Sequence, residues 1–373
     1  MITEDHASLD SASQAAAEQQ RPASPSRSRE VWVDVIRVFA VFCVIVLHVA
    51  GPLLYEYNEL PRTDWLIANL YDSCVRMCVP LFFMISGYLL LQKDEPLLVF
   101  FAKRCQKVVI PLVAWTVFYV LWNVAVEKQP FPDGRSLAGL LISPAYFHLW
   151  FLYALLGVYL CVPFLRAIVH STHRYLVAYF VVLWLVAVVA IPFWELVTAS
   201  QSEIDLSVVS GYAGYFMLGY LLGCQRTTIL HAVMGAIGYG CSVGVTFAGT
   251  WYLTASQEGE FAGYFFENFS ANVVVMSASA FVLLKFVGQH STILIKPKAI
   301  QILDVLSGAI FGVFLIHLAV LLALHHGYLG VTLTGSSGNP VYAIPLTSIV
   351  IGCLSFLAVM GLRRMPILKR IVP

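Results

Sequence analysis

Three ionisable side chains, Asp34, Arg37 and His48, lie in the first long apolar stretch of the chain, VWVDVIRVFAVFCVIVLHVAGPLL. Arg37 and His48 are eleven positions apart, and on an α-helix this spacing is about 20° more than three full turns, so they share one face. Asp34 lies about 60° from Arg37 around the same helix. Because ionisable groups in apolar surroundings are costly, these three side chains are functional candidates.

This helix face could perform acid–base chemistry. An imidazole takes and returns protons near neutral pH, so His48 is a candidate general base for a hydroxyl nucleophile. The helix rise separates Arg37 from His48 by about 16 Å along the axis. Two plainer interpretations stay open: Asp34 and Arg37 as an ion pair at the membrane interface, and His48 as a hydrogen-bonding packing residue.

Polar side chains at the outer ends of later apolar stretches are further candidates for lining a substrate cavity. They are His148, Trp150, Tyr153, Glu267, Asn268, Asn272 and His317. Of these, Glu267, Asn268, Asn272 and His317 could also stabilise an oxyanion. Packing and interfacial hydrogen bonds explain each of them equally well. The eight cysteines show no spacing typical of metal ligands, so no metal is predicted. Outer acidic residues such as Asp72 are expected mainly to complement the basic residues of the other membrane face.

Ten apolar stretches must position these side chains. Hydrophobic residues make up 59% of the 373 positions and charged residues 12%, which is too apolar for a soluble globule. Each stretch has the roughly 20 residues that a helix needs to cross a bilayer, rather than the short alternating segments of a β-barrel. The sequence therefore predicts an all-α, polytopic transmembrane helix bundle of about ten helices, with spans at residues 31–54, 74–91, 108–126, 147–168, 175–193, 206–222, 229–253, 264–286, 305–324 and 341–362.

The basic residues predict the orientation of the bundle, because Lys and Arg accumulate in cytoplasmic loops. With the N-terminus inside, only four of the 22 Lys and Arg residues fall outside, namely Arg62, Arg76, Lys128 and Arg135. Both ends are therefore predicted to be cytoplasmic: residues 1–30 as a disordered tail and residues 363–373 as a basic tail, with one membrane domain at 31–362. Since the basic residues trace a membrane face, no nucleic-acid partner is expected.

Several segments, in order along the chain, resemble the integral-membrane acyltransferase family 3. They are Asp34, Arg37, Ala40 and His48 in the first helix, PLFFMISGYLL from Pro80, HLWFLYALLGVYLCVPFL from His148, and FGVFLIHLAVL from Phe311. A basic run with Lys103, Arg104 and Lys107 precedes Pro111, where this family carries a basic cluster. The resemblance covers nearly all of residues 31–362, and the order and spacing of the segments make it specific.

The resemblance implies an enzyme that moves an acyl group, usually acetyl from acetyl-CoA, to a hydroxyl of a cell-surface glycan or polyprenyl-linked sugar. It is closest to the stand-alone O-acetyltransferases of O-antigen and enterobacterial common antigen, multi-pass proteins of the bacterial inner membrane. It also implies that His48 is catalytic and that Arg37 helps to hold acyl-CoA. The resemblance adds a sugar-contacting or acyl-positioning role for His148, Trp150 and Tyr153, and the substrate cavity lined by the seven outer side chains is then the acceptor cavity. We expect the CoA phosphates to dock on Arg37, Lys103, Arg104 and Lys107. Direct transfer and an acyl-histidine intermediate both stay open, as do other acyl groups and the oligomeric state.

A transporter or exporter of a glycan or small solute is the competing hypothesis, because ten helices suit either class. Such proteins more often show helices broken at the membrane midplane and similarity between their halves. Neither feature is clear in this sequence, so the sequence favours the acyltransferase.

Overall fold

The chain folds into a bundle of α-helices. The computed structural model describes residues 30–171, 173, 175–198, 206, 211–294, 296–366 and 368–373. This part of the chain consists of helices and connecting turns and contains no β-strand, so the predicted all-α class is confirmed. Of the predicted N-terminal tail, only Glu30, which immediately precedes the first helix, lies within the described residues.

The helices follow one another with short connections. In order, they are α1 (Val31–Ala50), α2 (Arg62–Val75), α3 (Cys78–Leu91), α4 (Leu97–Arg104), α5 (Ile110–Ala125), α6 (Gly134–Gly139), α7 (Trp150–Val169), α8 (Tyr175–Leu185), α9 (Ile191–Thr198), α10 (Tyr212–Cys224), α11 (Ile229–Ser256), α12 (Ala271–His290), α13 (Pro297–His325) and α14 (Pro340–Leu362). The 3₁₀ turns Gly51–Tyr55 and Phe147–Leu149 extend α1 and lead into α7. One π-helical turn, Cys105–Val109, joins α4 to α5.

Nine helical segments of the described chain are long and apolar enough to cross a membrane. They correspond to nine of the ten predicted spans, and this is a multi-pass membrane protein. The remaining prediction, 206–222, corresponds to the short helix α10, and residues 207–210 of that span lie outside the described residues. The second span is longer than predicted, because α2 and α3 together run over Arg62–Leu91.

Helix α1 lies at the centre of the bundle, packed against α2, α3, α12, α13 and α14. Its apolar side chains are buried almost all round, with Ile36 and Ala40 fully enclosed, which is typical of a helix surrounded by others. The helix that carries Arg37 and His48 is therefore held by neighbours on most sides, and each of these two side chains lines a cavity.

Glycines allow α3 and α10 to approach each other closely. A Cβ atom added at Gly219 would overlap the backbone of Met84, and one added at Gly87 would overlap the backbone of Phe216. In a membrane, where lipid competes with every apolar contact, small residues favour helix association because they let backbones meet. This contact fixes α3, whose side chains Val79 and Phe82 line the cavities described next.

Candidate functional site

A cavity of about 670 Å³ opens beside His48, which lies in the last turn of α1. The 3₁₀ turn that follows α1 forms part of its wall, and aromatic rings, including those of Phe147, Trp150 and Phe266, form much of the rest. We call this space the His48 cavity. Its volume is in the range of small-molecule binding sites, which are mostly apolar with a few polar groups.

Two further histidines lie close to His48, although they come from distant parts of the chain. The ring of His317, on α13, stacks on the ring of His48 with centroids 5.3 Å apart. The ring of His148 lies edge-on to that of His317 at 5.6 Å. His148 lines the His48 cavity, whereas His317 is fully buried against the other two rings. The structure thus brings together three imidazoles that the sequence places in three different helical segments.

A hydrogen bond fixes which ring nitrogen of neutral His317 carries the hydrogen. Nδ1 lies 2.6 Å from the carbonyl oxygen of Phe314, and a carbonyl oxygen only accepts, so Nδ1 donates. Nε2 is left with its lone pair, buried and with no hydrogen-bond partner among the described residues. A buried polar atom without a partner is costly, and here it lies within an imidazole cluster at a cavity. This cost favours a functional role for the cluster over simple packing.

Four of the seven side chains predicted for an acceptor cavity line the His48 cavity, namely His148, Trp150, Glu267 and Asn268. Tyr153 and Asn272 are engaged elsewhere. The hydroxyl of Tyr153 donates to the carbonyl oxygen of Leu140 at 2.7 Å. The amide of Asn272 donates to Thr246 Oγ1 at 2.8 Å and holds α12 against α11. Within the described part of the chain, no three metal-ligating side chains form a cluster, and the prediction that no metal is bound stays a prediction.

An ion pair inside the His48 cavity escaped the sequence analysis. Asp72, near the end of α2, has no exposed surface and pairs with Arg76, which lies where α2 breaks before α3. The guanidinium of Arg76 also lies 3.8 Å from the ring centroid of Phe266. The expectation that Asp72 mainly complements the basic residues of the other face is wrong, because Asp72 is fully buried and paired with Arg76 inside the bundle. Opposite charges four residues apart were the available signal.

A second cavity, of about 350 Å³, lies beside Arg37, nearer the N-terminal end of α1. Arg37, Arg104 and Lys107 all line it, so three of the four residues predicted to bind acyl-CoA meet at one place. The carboxylate of Asp34 is 3.6 Å from Arg37 Nη1 and accepts a hydrogen bond from Ser307. Asp34 therefore helps to orient Arg37. We call this space the Arg37 cavity.

Lys103, the fourth predicted cation, is held by Glu95 in the connection between α3 and α4. Its Nζ lies 2.8 Å from Glu95 Oε2, and Arg166 on α7 donates to Oε1 at 3.2 Å. The hydrogen bond from Lys103, and to a smaller extent that from Arg166, holds the pKa of the Glu95 carboxyl below its ordinary value. The cluster ties the connection to α4 and α7.

The His48 and Arg37 cavities meet at two aromatic rings, because Phe151 and Phe314 belong to the walls of both. The molecule therefore has one site with cations at one end, imidazoles at the other, and aromatic rings in between.

Comparison of the sequence with known protein families identifies the class of protein. The sequence model of acyltransferase family 3, described as an acyltransferase domain, matches residues 30–362. The chain therefore belongs to this family of membrane acyltransferases, and the resemblance seen in the sequence is confirmed. Membership of this family favours an acyltransferase over the competing transporter hypothesis. No curated protein and no solved structure matches the chain.

Proposed function

We propose that this protein transfers a short acyl group, acetyl by preference, from cytoplasmic acetyl-CoA to a hydroxyl of a cell-surface or polyprenyl-linked glycan outside the bacterial inner membrane. The observation that carries the proposal is the pair of cavities along α1, one lined by cations and the other by His48. Acyl-CoA is made in the cytoplasm, and glycans of this kind are presented outside. An enzyme that joins the two needs a site on each side of the membrane.

Three cations support a site for the CoA phosphates in the Arg37 cavity. Arg37, Arg104 and Lys107 meet in one partly enclosed space, where positive charge attracts a polyanion and arginine matches pairs of phosphate oxygens. From there the pantetheine arm would follow α1 for about 16 Å to His48. Lys103 adds positive charge from the neighbouring turn while it remains paired with Glu95.

The lining of the His48 cavity supports a sugar as the acceptor. Trp150 and Phe266 offer flat apolar ring faces, and Glu267 and Asn268 offer oxygens that accept hydrogen bonds from hydroxyl groups. This combination of aromatic walls and a few polar groups suits a polyhydroxylated ring better than a purely apolar ligand. A polyprenyl carrier would remain in the surrounding bilayer.

His48 is the proposed general base. Its imidazole takes the proton of the acceptor hydroxyl as the oxygen attacks the thioester carbonyl, and the proton then returns to the leaving thiolate. A carbon–oxygen bond forms, the carbon–sulfur bond breaks, and the products are an O-acyl ester and free CoA. The ring of His317, stacked on His48, holds the base in position. If His48 itself carried the acyl group first, protein treated with acetyl-CoA alone would gain the mass of an acetyl group.

The distribution of charge supports the orientation of the enzyme. Arg37, Arg104 and Lys107 surround the proposed donor cavity, and the positive-inside tendency of membrane proteins places such residues at the cytoplasm. Both chain ends then lie on the cytoplasmic side, and the His48 cavity opens towards the outside.

Replacement of His48 tests this proposal. We expect His48→Ala to lower CoA release from acetyl-CoA, and acetylation of envelope glycans, by about 10²-fold or more, because a general base contributes at least this much. Thiol detection with purified protein measures the first, and mass spectrometry of envelope glycans from cells with and without the gene measures the second. His290→Ala, at the exposed end of α12, is the matched control and should keep wild-type activity. Unchanged transfer by the His48 variant contradicts the assignment of the base.

A further inference from the structure

We propose that three phenylalanine rings between the two cavities, those of Phe82, Phe151 and Phe314, form a constriction that limits the width of the acyl group the enzyme accepts. We call these rings the phenylalanine septum. The proposal rests on the proposed function, because it concerns the route by which an acyl thioester travels from the Arg37 cavity to His48.

The septum is built from three different helices. Phe82 lies on α3, Phe151 on α7 and Phe314 on α13. Phe151 and Phe314 line both cavities, and Phe82 lines the Arg37 cavity. The ring centroids are 5.1 Å apart for Phe151 and Phe314, 5.8 Å for Phe82 and Phe151, and 6.5 Å for Phe82 and Phe314. Every pair among the three rings is therefore in contact, at the place where the cavities meet.

These spacings are too small for a chain to pass between the rings. Carbon atoms in contact are about 3.5–4.0 Å apart, so a methylene chain between two rings needs roughly 7–8 Å from one ring to the other. The observed spacings of 5.1–6.5 Å fall short of this. The rings must therefore move apart before a pantetheine arm and its acyl group can reach His48, and without a donor they close the route.

Packing behind the septum limits how far the rings can move. The ring of Phe151 contacts that of Phe83 at 5.1 Å, and the ring of Phe314 contacts those of His148 and His317, each at 5.8 Å. Phe151 and Phe314 are almost completely buried, and close-packed interiors resist displacement. A small opening admits an unbranched chain. A branched acyl group needs a wider opening, which the neighbouring rings prevent. The septum thus selects narrow acyl groups.

Butyryl-CoA and isobutyryl-CoA provide a matched pair of probes, because the two acyl groups have the same atoms and differ mainly in width. We expect the wild-type protein to prefer butyryl over isobutyryl in kcat/KM for CoA release. Phe151→Ala and Phe314→Ala should each reduce this preference by about tenfold, the scale on which apolar pockets discriminate by one methyl group. Phe314→Ala could also lower activity in general, because Phe314 contacts His317. The ratio of kcat/KM for the two substrates within one variant is insensitive to such a general loss.

Phe83→Ala is the matched control. Phe83 lies on the same helix as Phe82, is fully buried and contacts Phe151, but it is absent from the walls of both cavities described here. It therefore reports the effect of loosened packing alone and should keep the wild-type preference. Phe82→Ala, which leaves the imidazole cluster untouched, serves as a third septum variant if either of the other two fails to fold.

The outcomes separate the septum from the proposed function. If the wild-type protein releases CoA from none of acetyl-, butyryl- and isobutyryl-CoA, the acyl-CoA donor is wrong and the septum falls with it. If the wild-type protein is active but the septum variants keep its preference, or Phe83→Ala loses it to the same extent, the septum is overturned while the donor stands.

Discussion

The buried pair of Asp72 and Arg76 places two opposite charges next to the proposed catalytic base. Asp72 has no exposed surface, the Arg76 side chain is 17% exposed, and both line the His48 cavity. Desolvation makes such a pair expensive, while removal of one partner leaves an uncompensated buried charge. A pair of this kind at a break between two helices is better explained by the shape and polarity of the site than by a gain in stability.

We predict strong coupling between these two residues. Asp72→Ala and Arg76→Ala should each destabilise the protein by about 3–5 kcal/mol, because each leaves a buried charge without its partner. The double variant should lose clearly less than the sum, since it removes both charges. Unfolding of the wild type and the three variants by SDS titration in mixed micelles measures the free energies. Additive losses would show that the pair does not act as a unit.

At the level of single residues, the sequence indicated the helix face and missed the neighbours. The spacing of Arg37 and His48 follows from helix geometry alone, so their shared face was predictable. The contact of His317 with His48 was not, because it depends on how α13 packs against α1. Nor did sequence hydropathy place Asp72 inside the membrane, since charged residues lower the apparent hydrophobicity of the turn that contains them.

At the level of elements, the contact between α3 and α10 depends on the lack of side chains at a few positions. Gly87 and Gly219 each face the backbone of the opposite helix, with no space for a Cβ atom. Helix α3 carries Phe82 of the septum and ends near Glu95, whose carboxylate is held by Lys103 and Arg166. A shift of α3 would therefore disturb the septum and the connection to α4.

We predict that Gly219→Ala destabilises the protein by about 1–3 kcal/mol, because overpacking forces the two backbones apart. Gly157→Ala is the matched control: Gly157 lies in α7, and a Cβ atom there would meet no atom within 4 Å. Alanine favours helix over glycine by up to about 1 kcal/mol, so the control should be neutral or slightly stabilising. SDS titration measures both variants, and equal free energies of unfolding would contradict the close approach of α3 and α10.

The elements themselves were largely predictable, with two instructive exceptions. Long apolar runs gave nine of the spans directly, since lipid requires continuous helices of that length. The span predicted at 206–222 corresponds to the shorter α10, in which Gly219 allows close packing against α3. The extension of the second span to Arg62 was missed, because it contains polar residues, of which Asn69 and Ser73 form hydrogen bonds inside the bundle.

At the scale of the whole molecule, the central position of α1 gives the two cavities their common axis. A Cβ atom added at Gly288, near the end of α12, would overlap Trp32 at the start of α1, so the turn after α12 lies at the Arg37 end of the molecule. The ring of Phe147, at the start of the segment that leads into α7, lies 5.2 Å from that of His48. The connection at 126–146 and the turn at 291–294 therefore mark opposite ends of the bundle, and the sides of the membrane on which they lie decide which cavity faces the cytoplasm.

We predict that the connection before Phe147 faces outward and that the turn after α12 faces the cytoplasm. Single cysteines at the exposed positions Ser143 and Thr292 test this without changing a charge that directs topology. In intact spheroplasts, a membrane-impermeant maleimide should label Ser143→Cys well above the native cysteines of the wild type and should label Thr292→Cys only after the membrane is opened. The reverse pattern would place the Arg37 cavity outside, away from cytoplasmic acyl-CoA. Such a result would remove the physical basis for a donor site at Arg37, Arg104 and Lys107, whatever activity the purified protein retained in detergent.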